Sequence, residues 1–318
     1  MKTRKLRELT VSAIGMGCMG FSHGYGACPP ESESIRLMRS AYENEILVGK
    51  ALKPIRDKIV LATKFMPEVF LPGQEIPEGK TSRRGLRNAV ENSLKRLQTD
   101  HIDLYYEHRV PPNRDVAEVA TWMGELIAEG KILAWGVSEA TPAQIRRAHA
   151  VTPLTAVQSE YSIMERYVEA EVLPLCRELG IGFVAYSPMA GGFLSGKYNS
   201  QSKFEGDDVR RVITRFDPKN MDANQILLDL LKKFAADKNV TLAQISLAYL
   251  MSKNDFVVPI PGMRRDERLR ENFGAADVEL TADELVALDA ALSKVTIHGD
   301  RKDSDIQKLG TVNTITVH

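Results

Sequence analysis

The chain has 318 residues, of which 43% are hydrophobic and 26% charged, an ordinary composition for a globular protein. Lysine plus arginine and aspartate plus glutamate both number 42, so no net field favours nucleic acid or an anionic membrane as a partner. The cysteines are three and far apart, without a C-x-x-C pair, which argues against a disulfide framework or a zinc site. Neither a signal peptide nor a bilayer-length apolar run is present, so we expect a reduced, cytoplasmic protein.

The predicted elements begin with a short hairpin over residues 4–15, which runs into a first strand. Two helical patterns, Ser34–Glu43 and Asn44–Leu52, then meet with no strand between them. Beyond them strands and helices alternate regularly. The seven predicted strands are residues 12–19, 59–65, 102–108, 132–138, 154–161, 181–188 and 256–262. The helices predicted after the first two are residues 84–97, 116–129, 142–150 (with Thr141 as N-cap), 170–179, 224–238, 242–253, 265–273 and 282–294.

Near-continuous apolar strands that are each followed by a helix indicate a parallel sheet covered on its outer face. The number of such units, without a break in composition, favours one α/β domain over residues 1–318, a (β/α)₈ barrel of the TIM type with an N-terminal hairpin. A doubly wound sheet is the alternative. Its fingerprint would require the glycine-rich turn at residues 15–20 to lead directly into a helix, which it does not. A barrel needs eight strands, and the absent one, the second, would fall at residues 41–44.

Polar residues mark the ends of the predicted strands, where barrels carry their chemistry. In chain order these ends are Cys18–Met19–Gly20, Lys64, His108, Ser138–Glu139, Gln158–Glu160, Tyr186–Ser187 and Pro261–Gly262. Taken singly, a lysine at a strand end is usually solvated, and His108 with Arg109 could equally be a surface pair. Together they predict an ammonium, an imidazole, an amide and a hydroxyl at one barrel mouth. No histidine has ligand spacing, so we expect no metal.

Two further stretches suggest an anionic ligand. The run PIPGMRRDERLREN (259–272) ends the last strand and begins a helix with three arginines in its first turns, which suits a phosphate. The run SPMAGGFLSGK (187–197) has glycines that permit close backbone approach to a pyrophosphate. A solvated basic face and a plain flexible loop are the respective alternatives.

The chain resembles the aldo-keto reductases, single (β/α)₈ barrels that bind NADPH across the barrel mouth without a Rossmann fold. The resemblance spans nearly the whole chain and rests, in order, on SAIGMGCMG, IVLATKF, DLYYEHRV, ILAWGVSEA, AVQSEYS, VAYSPMAGGFLSGKY and VPIPGMRRDERLREN. It implies an oxidoreductase that transfers a hydride from NADPH to the carbonyl of an aldehyde or ketone, which would be its small-molecule partner.

The resemblance also implies a cofactor site. Tyr186 would stack on the nicotinamide ring, while Ser138 and Gln158 would hold its carboxamide. The residues implied to surround the pyrophosphate are Ser187, Met189, Leu194, Gly196 and Lys197. Those implied for the 2′-phosphate and adenine are Gly262, Arg264, Arg268, Glu271 and Asn272, and Met19 completes the predicted site. The sequence departs from the family at Glu139, where many relatives have Asn, and at Met263, where Thr or Ser is commoner.

The family's catalytic set is Asp, Tyr, Lys and His, of which Lys64 and His108 match the last two. The Asp and Tyr belong to a D-T-A-x-x-Y-G type motif that would fall between Glu43 and Asn44, and this sequence does not contain it. The deficit is about 15–20 residues, the length of one strand and one loop. Tyr42 lies inside the first helical pattern and is therefore a poor substitute.

Three interpretations of the gap stay open from the sequence. The natural polypeptide could carry a segment that this sequence lacks, which would make it an ordinary reductase. A true deletion could leave residual activity, with His108 or a water donating the proton. The protein could instead bind NADPH without catalysis, as a sensor or an auxiliary subunit.

The loops expected to select the substrate are residues 21–30, 67–80, 199–221 and the tail 296–318, which we expect to be a lid or disordered. Their expected apolar lining is Phe21, Tyr25, Met66 and Met189. The sequence indicates neither the substrate nor an oligomeric state.

Overall fold

The computed structural model describes residues 2–19, 24–25, 41–66, 82–111 and 114–300. The predicted helix from residue 34 lies outside these ranges up to residue 40. Also outside them are the loop at 67–80, the tail beyond residue 300 and all of the loop at 21–30 except residues 24–25.

The N-terminal hairpin consists of β1 (Thr3–Leu6) and β2 (Leu9–Ser12), which pair antiparallel. Leu6 packs with apolar side chains inside the barrel, including Leu104 and Val184. A Cβ on Gly182 would lie 2.3 Å from the Leu6 Cδ2, so glycine is required at this contact. The hairpin therefore covers the N-terminal end of the barrel strands.

Six parallel strands form the main sheet in consecutive order. They are β3 (Ala62–Phe65), β4 (Leu104–Glu107), β5 (Trp135–Ser138), β6 (Ala156–Glu160), β7 (Gly182–Tyr186) and β8 (Val257–Pro259). The α-helices are α1 (Ala41–Leu52), α2 (Arg83–Leu97), α3 (Val116–Ala128), α4 (Pro142–Val151), α5 (Val172–Leu179), α6 (Pro218–Ala223), α7 (Gln225–Asp237), α8 (Leu242–Lys253), α9 (Asp266–Gly274) and α10 (Ala282–Leu292). Within the described ranges no helix is both long and apolar enough to cross a bilayer.

Alternate residues of each strand belong to separate apolar clusters. Tyr106 and Val184 pack inside the barrel, whereas Tyr105 and Phe183 pack in the layer between the sheet and the helices. Because both faces are covered, the strands read as continuous apolar runs in the sequence. This arrangement confirms the predicted α/β fold with a parallel sheet.

The predicted first strand, residues 12–19, is instead an extended segment beside β8. Gly15 N donates to Pro259 O at 3.0 Å and Gly17 N to Pro261 O at 3.0 Å, with one parallel bridge between Gly17 and Gly262. A Cβ on Gly17 would lie 2.6 Å from Ile260 O, which explains the glycine. The segment therefore occupies the place of a strand without a regular ladder. The sequence also missed α6.

The sheet is open at β3. Helix α1 is continuous from Ala41, three residues earlier than predicted, and leads through a short 3₁₀ segment towards β3. β3 pairs with β4, and no strand among the described residues pairs with its other edge. Ala62, whose side chain faces the interior, is accordingly exposed. The barrel is thus unclosed between residues 13–19 and β3.

Candidate active site

The polar strand ends meet on the inner side of the sheet. Leu61 and Phe65 belong to the outer cluster, so alternation turns Lys64 inward. Lys64 is the register partner of Tyr106, and Ser138 is the register partner of Gln158. The structure therefore brings these side chains to one end of the barrel.

Lys64 is partly buried, and its ammonium has no ion pair among the described residues. Burial, together with the smaller effect of the positive charge of Arg109, lowers the pKa of Lys64 to about 8. Cys18 is the nearby thiol, and burial raises its pKa to about 12. A lysine of this kind can give up its proton near neutral pH.

His108 follows β4 directly, and its backbone N donates to Phe65 O at 3.0 Å. Arg109 Nη1 donates to His108 O at 2.7 Å and to Ser138 Oγ at 3.4 Å. The guanidinium therefore lies beside the predicted site, at the end of the neighbouring strand. The available signal was its position one residue beyond a strand end.

Ser138 and Gln158 are both buried at the ends of adjacent strands. Glu139 has a positive φ of 53°, a conformation that Asn adopts more readily than Glu. Its carboxylate accepts from Glu160 N at 2.8 Å and from the Tyr167 hydroxyl at 2.9 Å. Glu139 thus fastens the end of β6 to Tyr167, a residue that the sequence analysis missed.

The glycine-rich segment after β7 forms a tight turn with positive φ at Ser187 (49°), Gly191 (65°), Gly192 (97°) and Gly196 (69°). Leu194 is fully buried in the core, so it can face a ligand only through its backbone. Met189 is partly buried against the core, and Lys197 is exposed with its Nζ 5.6 Å from the Tyr198 ring.

Arg210 anchors the long segment that follows β7. The Arg210 side chain is 6% exposed and holds Asp208 through two bonds, Nε to Oδ1 at 2.9 Å and Nη2 to Oδ2 at 2.5 Å. The guanidinium lies 4.5 Å from the Tyr198 ring centroid and 4.4 Å from that of Phe204. Tyr25 lies on the same guanidinium at 5.4 Å, which joins the predicted substrate loop to this segment.

The predicted phosphate site lies at the start of α9. Arg265 is the N-cap residue but makes no side-chain capping bond, so amide groups of the first turn have no side-chain cap. Arg264 Nη2 donates to Tyr25 O at 3.0 Å. Arg268 is ion-paired with Glu271, which balances both charges.

The remaining predicted cofactor residues differ in accessibility. Asn272 is buried at the end of α9, whereas Gly262 is exposed and bridges to Gly17. Met19 is 48% exposed at the barrel mouth. Met263 is fully buried in a small apolar cluster, so its side chain fills the core in place of a hydroxyl at the phosphate site.

Glu107 is a further polar group that the sequence analysis did not single out. It is completely buried on the outer side of β4, and neither carboxylate oxygen has a hydrogen-bond partner. Burial raises the pKa of Glu107 from 4.5 to about 8, with a smaller opposing effect of Arg114. The only sequence signal was an acidic residue inside an apolar strand.

Comparison with known proteins decides the family. The sequence model of the Aldo/keto reductase family matches residues 13–293. The chain belongs to the aldo-keto reductase family. A thermostable aldo-keto reductase solved with the inhibitor epalrestat is 25% identical, with a TM-score of 0.68, covering 91% of this chain and 99% of that one. A glycerol dehydrogenase from Gluconobacter oxydans is 23% identical, with a TM-score of 0.81, covering 94% of this chain and 97% of that one.

The residues present fit a nicotinamide dinucleotide. Gln158 supplies a buried amide, and the Tyr106 hydroxyl beside it is buried without a hydrogen-bond partner. At the other end of the site, the uncapped start of α9 with Arg264 and Arg265 suits a phosphate. The family and the two structural neighbours are oxidoreductases, and the family generally uses NAD(P)H.

Proposed function

We propose that this aldo-keto reductase reduces the carbonyl group of an aldehyde or ketone with NADPH in the cytoplasm. The observation that carries the proposal is the convergence of Lys64 and His108 with Ser138 and Gln158 at one end of the sheet. NADPH, when bound, supplies the hydride. A reducing compartment is consistent with Cys18 and Cys176, which form no disulfide in the described part of the chain.

Lys64 has the electrostatics needed to assist such a reduction. With a pKa of about 8, its ammonium is largely protonated at neutral pH and can donate to a carbonyl oxygen on which negative charge develops. His108 lies at the end of the adjacent strand β4 and is the second proton donor that we propose for the same oxygen. Arg109 adds a positive charge on that side of the site and favours the same charge development.

The preference for NADPH over NADH rests on the start of α9. Arginine forms charge-assisted bonds with a phosphate, and a helix N-terminus adds unpaired N–H groups and a favourable dipole. Next to Gly262, Arg264 and Arg265 supply the guanidinium groups, and the first turn of α9 supplies the N–H groups. NADPH is accordingly expected to bind more tightly than NADH in a fluorescence titration.

The first test is consumption of NADPH over a panel of aldehydes and ketones by the wild type and by Lys64→Met. Loss of a positioned proton donor is expected to lower kcat by about 10²-fold or more. The wild-type rate should also fall as the pH rises through about 8, because Lys64 then loses its proton. The matched control is Lys233→Met, on the exposed face of α7.

Equal rates for Lys64→Met and Lys233→Met would overturn the role of Lys64. Absence of NADPH consumption by the wild type on every carbonyl compound would instead overturn the reductase proposal.

A second candidate is a protein that binds NADPH without catalysis. The observation in its favour is that Lys64 has no carboxylate partner among the described residues, in keeping with a sequence that lacks the D-T-A-x-x-Y-G type motif. This candidate predicts NADPH binding without consumption. The intact mass of the natural polypeptide shows whether the motif is truly absent. An additional strand and loop would add the mass of about 15–20 residues to that of the sequence given.

A further inference from the structure

Two consecutive tyrosines on β4 have hydroxyl groups that lack hydrogen bonds. Tyr105 and Tyr106 are each at most 1% exposed, and neither hydroxyl has a partner. Buried polar groups are nearly always hydrogen-bonded, so each case calls for an explanation. The two side chains point to opposite faces of the sheet, and only Tyr106 points into the barrel.

The position of the Tyr106 ring depends on a glycine. A Cβ on Gly136 of β5 would lie 2.6 Å from the Tyr106 Cε1 and 2.8 Å from its Cδ1. One edge of the ring therefore lies against β5, in space that the side chain of any other residue at this position would fill. Its hydroxyl reaches the side chain of Gln158 on β6.

Gln158 is the second half of the pair. It is 4% exposed, and its amide group lies within reach of the Tyr106 hydroxyl. The Tyr106 phenolic donor thus lies beside the Gln158 amide, but the hydroxyl is not aligned with it for a hydrogen bond. A small rotation of the amide would let its oxygen accept from Tyr106 and leave its NH₂ directed into the barrel mouth.

We propose that Tyr106 is a positioning residue for the nicotinamide carboxamide, whose hydroxyl donates to the Gln158 amide oxygen when the dinucleotide binds. The Gln158 NH₂ is then fixed to donate to the carboxamide oxygen. This inference rests on the proposed binding of NADPH. The Tyr106 hydroxyl, which lacks a partner without the dinucleotide, gains one with it, so part of the cost of an unpaired donor is recovered on binding.

The test compares Tyr106→Phe with Tyr105→Phe. The two variants remove the same atom from adjacent, equally buried residues on opposite faces of one strand. Both are expected to unfold at the same temperature as the wild type or higher, because a buried unpaired hydroxyl is lost. Only Tyr106→Phe is expected to raise the Kd for NADPH, by about threefold to tenfold, the equivalent of one hydrogen bond.

If the Tyr106 hydroxyl only stabilised the fold, Tyr106→Phe would lower the melting temperature and weaken NADPH binding together. The expected result is weaker binding without a lower melting temperature. The Gln158→Leu background tests whether Tyr106 acts through Gln158. In that background, adding Tyr106→Phe should give the same Kd for NADPH as Gln158→Leu alone. A further loss of affinity in the double variant would overturn the action through Gln158.

The two proposals fail in different ways. If the wild type does not bind NADPH, the proposed function and this inference both fall. If the wild type binds NADPH and Tyr106→Phe matches Tyr105→Phe in Kd, the inference alone is wrong.

Discussion

Glu107 keeps a carboxyl group in an apolar layer, where its charged form is strongly disfavoured. Its pKa is 4.5 in an unfolded chain and about 8 in the folded protein. Between those pH values the unfolded state gives up a proton that the folded state retains. The contribution of Glu107 to stability is therefore lost as the pH rises across that window, and it is fully present below it.

Glu107→Gln is expected to remove this pH dependence and to be more stable than the wild type near pH 8. The free energy of unfolding from urea denaturation at about pH 5 and about pH 8 measures the effect, which amounts to about 1.4 kcal/mol per pH unit within the window. Glu205→Gln, at an exposed position, is the control. If the free energy of unfolding changed equally with pH in both variants and the wild type, Glu107 would ionise as readily in the folded protein as in the unfolded chain.

Some site residues are placed by local sequence and were predictable, whereas others are placed by contacts with neighbouring strands and were not. Lys64 and His108 were predictable because a strand end is a local pattern, and barrel strand ends share one mouth. The placement of Arg109 and the engagement of Glu139 with Tyr167 depend on neighbouring strands, which single positions do not reveal. The unpaired hydroxyl of Tyr106 depends on Gly136, one strand away.

At the scale of elements, the segment after β7 depends on a buried ion pair. Removing the guanidinium of Arg210 leaves the Asp208 carboxylate buried without its partner, which typically costs about 3–5 kcal/mol. Arg210→Met is therefore expected to lower the melting temperature and to make residues 198–216 more sensitive to limited proteolysis. The neighbouring Arg211→Met is the control because Arg211 is exposed. Equal behaviour of the two variants would show that the ion pair does not hold this segment.

Most predicted helices match the structure within about two residues, because their ends are set by local residues. Thr141, for example, accepts from Gln144 N at 3.3 Å in a capping box at the start of α4. The strands are shorter than predicted, since a strand ends where its neighbour diverges. The first predicted strand shows this most clearly: residues 12–19 are extended, but the ladder with β8 has a single bridge.

At the scale of the whole molecule, the open edge of β3 gives a direct test of the unclosed barrel. Leu104 N donates to Leu61 O at 3.2 Å and His108 N donates to Phe65 O at 3.0 Å, so odd-numbered residues of this stretch bond to β4. In a parallel ladder the intervening residues face the other side. The amides of Ala62 and Lys64 are therefore unprotected by any strand among the described residues.

Hydrogen exchange should thus be fast at Ala62 and Lys64 and slow at Thr63 and Phe65, resolved by NMR. Protection at all four amides would mean that another segment or another copy of the chain pairs with this edge, which is a known hazard of exposed strands. Repeating the measurement over a range of protein concentrations distinguishes those two cases, because only pairing between copies depends on concentration.

The hairpin that covers the N-terminal end of the strands also fixes which way the protein would face on a solid support. β1 and β2 pack against Gly182 and the inner apolar cluster, at the opposite end of the sheet from Lys64. A linker joined ahead of β1 would therefore attach the end of the barrel that the hairpin covers to the support. The barrel mouth would then face the solution. An electrode or resin loaded in this way should retain access for dissolved aldehydes.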